Sequence, residues 1–215
     1  EKYNFEVSNI ILSNDEKLIN ALDGKISSKN NDLIITAEEF KYFKDLELLE
    51  AFNGKAFLKI DNLEISFNEI KIDDKKLILT ASGGIIIDDL ENSLNIKSET
   101  VILDRKNNVL TASGGIIIDD LENLLNIKSE TVILDRKNNV LSSNTETIVN
   151  DKFNNIVKTK KYVYQLNENT LKIFKASVLD SDNNSFEIDL AYIDTKIFKV
   201  IGKDVSINLN NKYLN

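Results

Sequence analysis

The chain has 215 residues, 42% of them hydrophobic, and a formal net charge of −8 from 35 acidic and 27 basic side chains. That length can bury a sizeable core, and the negative balance disfavours nucleic acid, whose binding depends on neutralising phosphates. The absence of His and Cys excludes Ser-His and Cys-His nucleophiles and an ordinary zinc site, so neither an enzyme nor a cofactor is expected.

The first element is an alternating strand, with Tyr3, Phe5, Val7, Ile10 and Leu12 as its apolar positions. The pattern is three apolar residues two apart, a double step, then two more. It returns at Leu33, Ile35, Ala37, Phe40 and Tyr42, and again at Leu63, Ile65, Phe67, Ile70 and Ile72. Leu94, Ile96, Ser98, Val101 and Leu103 follow, then Leu125, Ile127, Ser129, Val132 and Leu134. The last two copies are weaker: Asn155, Val157, Thr159, Tyr162 and Tyr164, then Phe186, Ile188, Leu190, Ile193 and Thr195. Thirty of these 35 positions are apolar, against eight of the 35 between them, so the period is structural rather than compositional.

Alternation with period two places successive side chains on opposite faces of a strand. The double step would flip the inward face in a flat strand, so a bulge or corner is expected there. A second strand follows in each unit. It is marked by Ile19, Leu49, Leu79, Leu110, Leu141 and Leu171, and two residues later by Ala21, Ala51, Ala81, Ala112 and Ser143. The segments between strands, such as Asp104-Arg105-Lys106-Asn107-Asn108, carry the Asn and Asp that turns favour. These connections are too short for crossover helices, so neighbouring strands are expected to run antiparallel or to wind as a coil.

Residues 79–109 recur at 110–140 with a single difference, Ser93 against Leu124. So close an identity marks a recent duplication inside a repeat fold. The expectation is one all-β domain over residues 1–215, built from about seven two-strand units. Starting at Glu1 rather than Met, the chain reads as a mature form or an excised fragment whose targeting segment would have been lost.

The phrase Leu-x-Ile-x-Ser-x-x-Val-x-Leu-Asp, a turn, then Leu-x-Ala-x-Gly-x-Ile-x-Ile resembles the OstA-like periplasmic β-jellyroll family of lipopolysaccharide transport. It is most like the N-terminal domain of the outer-membrane lipopolysaccharide-assembly protein. The resemblance is strongest from Leu33 to Leu141. The tail from Val200 to Leu209 resembles the region where that protein's jellyroll approaches its barrel.

The family implies an elongated, folded-over antiparallel sheet with an apolar groove that shields lipopolysaccharide acyl chains. Such modules dock edge-to-edge with other jellyrolls in the periplasm, and with the outer membrane if a C-terminal barrel follows. The groove lining it implies is Phe5, Ile35, Phe40, Ile65, Phe67, Ile70, Ile85, Ile96, Val101, Ile116, Ile127 and Val132. Two departures stand: the exact duplication is no part of the family pattern, and no barrel is present in this chain.

Each candidate has a plainer reading. The inward rows equally suit a solid core, which makes a structural β-solenoid or adhesin segment the alternative. The pairs Asp73-Asp74, Asp88-Asp89 and Asp119-Asp120 fit neither an EF-hand nor a calcium-binding repeat, and read as turn residues. A glycosidase carboxylate pair needs two different environments at one place, whereas these acids recur with the repeat. Lys158, Lys160, Lys161, Lys172 and Lys175 read as a solvated face, with lipid phosphate as the alternative contact. With no Pro to block them, the sheet edges are open to strand addition.

Overall fold

The computed structural model describes residues 2–210. Among them are fifteen strands, paired antiparallel, and no helix. Contacts divide the chain into two compact units, Glu1–Leu110 and Thr111–Asn215. The first holds β1 (Tyr3–Leu12), β2 (Leu18–Ser28), β3 (Leu33–Phe43), β4 (Leu48–Leu58), β5 (Leu63–Asp73), β6 (Ile78–Asp89) and β7 (Leu94–Asp104). Each pairs with the next, as the short connections require.

The second unit takes in most of β8 (Val109–Asp120), then β9 (Leu125–Asp135), β10 (Val140–Ser143) and β11 (Thr147–Asn150). It ends with β12 (Ile156–Gln165), β13 (Thr170–Leu179), β14 (Ser185–Asp194) and β15 (Lys199–Asn208). β10 and β11 together fill the place of one long strand, since both lie between β9 and β12. This makes seven strand pairs plus one break, at Asn144-Thr145-Glu146.

The turns share one construction. A backbone hydrogen bond closes four residues, as from Asn31 N to Ser28 O at 2.8 Å, and the closing residue is left-handed. Asn fills that place at positions 31, 62, 108, 139, 154, 169 and 183, where its short polar side chain tolerates positive φ. The turn acids bond their own loops. Asp104 accepts from the amide and the side chain of Asn107, at 3.0 and 2.6 Å.

The double step marks a corner. Opposite it, the partner strand carries a left-handed residue: Asp23, Asn53, Gly83 and Gly84 in the first unit, and Gly114, Gly115, Lys175 and Asp204 in the second. Between β5 and β6 the register jumps from Ser66 to Glu69, the bulge that restores the inward face. At Gly54 the backbones approach so closely that a Cβ would lie 2.2 Å from the Thr36 carbonyl oxygen.

The fifteen strands form one sheet, and in each unit the strands bend here far enough for its part of that sheet to fold onto itself. A straight eleven-residue strand spans about 36 Å. Yet Tyr3, at the start of β1, donates its hydroxyl to Asp74, just beyond the end of β5, at 2.6 Å. In the second unit Asp120, at the end of β8, accepts the hydroxyl of Tyr164, near the end of β12, also at 2.6 Å. Opposite strand ends meet only if the corner turns the sheet back. The meeting strands are several places apart in the sheet, so the corner runs obliquely across them, as the right-handed twist of strands favours.

Candidate functional site

Folding over gives each unit an interior lined by the inward rows. In the first, Ile35, Ile65 and Ile96 are 0% exposed, and Phe40, Phe67, Ile70, Ile85 and Val101 are also buried. In the second, Ile116, Ile127 and Val132 are buried in the same way. Phe5 alone among the residues implied by the resemblance is only half-buried, because β1 is an outermost strand. Burying each such side chain is worth roughly 1.5–3 kcal/mol, so the rows are the main source of cohesion.

The lips, where strand ends meet, are polar. Asp74, with a side chain only 7% exposed, accepts Tyr3, Arg105 at 3.1 Å and Lys2 at 3.4 Å. Tyr3 also meets Tyr42 edge to face, their rings 5.2 Å apart. At the other lip, Tyr164 accepts from Asn123 at 2.8 Å and lies 3.3 Å from the Thr195 hydroxyl. Burial, and then the neighbouring carboxylate, push Tyr3 and Tyr164 far above the ordinary tyrosine range, so both stay hydrogen-bond donors. Sequence reading did not find these latches. Tyr42 and Tyr164 do stand at the fifth row position where other units have Leu, Ile or Thr, but nothing within one unit's pattern points to the partners that meet at the lips.

The inward corner positions are more polar in the second unit (Ser129, Thr159 and Leu190) than in the first (Val7, Ala37, Phe67 and Ser98). The Ser129 hydroxyl lies 3.0 Å from each of the hydroxyls of Ser143, Thr145 and Thr147. Thr159 donates to the carbonyl oxygens of Lys161 and Phe174, at 2.8 and 2.9 Å. A concavity of about 840 Å³ borders this corner, lined by Ser129, Thr147 and Thr159 and flanked by Lys128, Lys158, Lys160 and Lys175. Glu130, Glu146 and Glu187 share it, so its charge is mixed rather than basic. Lys172 instead lies over the rings of Phe174 and Tyr192, and Lys161 over Phe174.

The outermost strands leave apolar rows uncovered. On β1, Ile10 and Leu12 occupy row positions that are buried in β3 and β5, yet they are 49% and 50% exposed. Every residue of β15 is exposed. Beside it opens a mouth of about 350 Å³, lined by Val178, Phe186, Ile188, Phe198, Val200, Gly202, Val205 and Ile207, with Asn155 and Asp180. Among the described residues β1 and β15 each pair on one side only, which leaves their outer backbone groups without a described partner strand.

The acidic pairs are engaged in turns and lips. Asp89 and Asp120 cap Asn92 and Asn123, while Asp88 and Asp119 accept Asn95 and Asn126. Among the described residues no three His, Cys, Asp or Glu side chains gather as metal ligands would.

In each unit these features define a folded-over antiparallel sheet with an apolar interior and a polar lip, and each unit carries an exposed outermost strand. No protein-family model matches the sequence, and no curated protein matches it. Among solved structures, the chain is similar to LptH, the LptA homologous periplasmic component of the conserved lipopolysaccharide transport device from Pseudomonas aeruginosa. The identity is 13% and the TM-score 0.30, over 69% of this chain and 94% of that one.

Proposed function

We propose that this chain is a non-catalytic module of lipopolysaccharide transport in the periplasm. It takes acyl chains into its apolar interior and adds neighbouring jellyrolls to its free edges. The observation that carries this reading is the mouth at β15, where the inward rows emerge as exposed Val205 and Ile207 beside an unpaired strand edge. A solid core has no use for an apolar opening at its end, whereas a conduit needs one where the next module joins. The inward residues from Phe5 to Val132 are the lining in this reading. The polar lips part to admit lipid, and the sugar portion stays in water. A link to the outer membrane through a following barrel, as in the N-terminal domain of the assembly protein, belongs to the same proposal.

One observation favours the solid-core alternative. Ile35, Ile65, Ile96 and Ile127 are wholly buried, which is how a structural β-solenoid would pack. Photo-crosslinking in cells separates the two. Crosslinkers at Ile96, Ile127 and the mouth residue Val205 are expected to capture lipopolysaccharide, while outward Lys97 does not. Val205 is exposed and tolerates a bulky probe if the core positions do not. Labelling from Lys97 but from none of the other three would overturn the conduit.

A further inference from the structure

Two tyrosines stand two residues apart in β12, both fully buried, with opposite hydrogen-bonding states. Tyr164 meets Asp120, Asn123 and Thr195 at the lip. The Tyr162 hydroxyl has no hydrogen-bond partner among the described residues. Tyr162 lies opposite Ser143 and Ile173 in the ladder, both buried, so its side chain belongs to the interior. Ser143 does not serve it, because its hydroxyl is engaged with those of Ser129 and Thr145, at 3.0 and 2.8 Å.

The hydroxyl is not needed for packing. The same row position is Phe40 in β3, Ile70 in β5, Val101 in β7 and Val132 in β9, all buried. A buried donor without an acceptor opposes folding, so retaining one where Phe would serve asks for another reason. Burial also pushes Tyr162 well above the ordinary tyrosine range, so it remains an uncharged donor.

A lone donor in an apolar interior calls for an uncharged acceptor. A phosphate fits poorly, since stripping its water there has a large cost. An ester or amide carbonyl on an acyl chain fits well. We propose that Tyr162 donates its hydroxyl to the carbonyl oxygen of an acyl ester or amide, making the second unit selective for acylated lipids over alkyl-ether lipids. This rests on the conduit reading and adds to it the chemistry the interior recognises.

The test uses the full chain and two phospholipids with the same headgroup and chain length, one diacyl and one dialkyl. Competition against a fluorescent lipid is expected to show wild type preferring the diacyl form by about tenfold, the scale of one buried hydrogen bond. Tyr162→Phe should lose that preference while binding the dialkyl lipid as wild type does, and without lipid it should melt at a higher temperature. Tyr164→Phe, altered at the lip, should keep the preference. Equal binding of both lipids by wild type, or a preference that survives in Tyr162→Phe, overturns the inference and leaves the conduit standing. So does a lower melting temperature for Tyr162→Phe, which would mean that the hydroxyl serves the fold. Failure of wild type to bind either lipid overturns both readings.

Discussion

The two copies of the 31-residue repeat carry the same side chains in different surroundings. Within each copy the local contacts are the same. Asp88 accepts Asn95 at 2.7 Å and Asp119 accepts Asn126 at 2.7 Å; Asp104 holds Asn107 as Asp135 holds Asn138. Contacts that reach outside the copy differ. The Ser98 hydroxyl is buried and finds no partner among the described residues, inside its copy or beyond it. Its twin Ser129 faces Thr147 and joins the hydroxyl cluster. Asp120 takes the Tyr164 hydroxyl, a bond supplied by a strand beyond the duplication. A repeat therefore fixes its turns and its alternation by itself, while its neighbours decide which of its polar groups are satisfied.

The largest effect that probes this contrast is expected at Asp120. Asp120→Ala removes the charged acceptor of a buried hydroxyl and should cost about 3 kcal/mol in denaturant unfolding. In a double-mutant cycle with Tyr164→Phe, the pair should couple by roughly 1.5–3 kcal/mol. Additive losses would mean that the lip is not held by this bond.

The serines come next. Ser129→Ala leaves Ser143, Thr145 and Thr147 short of a partner and should cost about 2 kcal/mol. Ser98→Ala removes an unpaired hydroxyl and should be neutral or slightly stabilising. Equal losses at the two sites would show that Ser98 has a role its neighbours do not reveal.

This contrast also marks how far the sequence could be read. The seven units, the strand pairs and the corner were all legible, because alternation and its interruption are local consequences of which face is buried. Eleven of the twelve residues implied as lining lie in the buried rows, and Phe5 is the half-buried one. The break at Asn144-Thr145-Glu146 was not legible, since Leu141 and Ser143 continue the pattern up to it. Nor were the lips. Tyr3 and Asp74 are 71 residues apart, and the oblique corner that joins them has no signature within one unit. The orphan hydroxyl of Tyr162 was hidden because Tyr counts as apolar in a row pattern.

Smaller effects are expected from the glycine corners, where the copies should agree. Gly84 and Gly115 have φ of 72° and 69°, and a Cβ at either would meet nothing within 4 Å. Only the left-handed backbone resists substitution, so Gly84→Ala and Gly115→Ala should each cost about 1 kcal/mol, by equal amounts. A difference between them would mean that the corner responds to its surroundings as the serines do.

The smallest effect is at the turns. Asp104 is held below the ordinary carboxylate range, first by the Asn107 amide; Asp135 likewise, first by the Asn138 side chain. A carboxylate with a depressed folded pKa adds stability that is present above its unfolded value, about 3.9, and is lost as pH falls through the folded value. Asp104→Asn and Asp135→Asn should therefore make the loss of stability below about pH 4 less steep, and by the same amount. Both groups are only half-buried, where a strand ends and its hairpin turn begins, so the change is small and is best seen as matching pH profiles of melting temperature. Profiles that diverge would show that even these i,i+3 contacts depend on the strand next door, and the division between local and borrowed contacts would then fail at its simplest point.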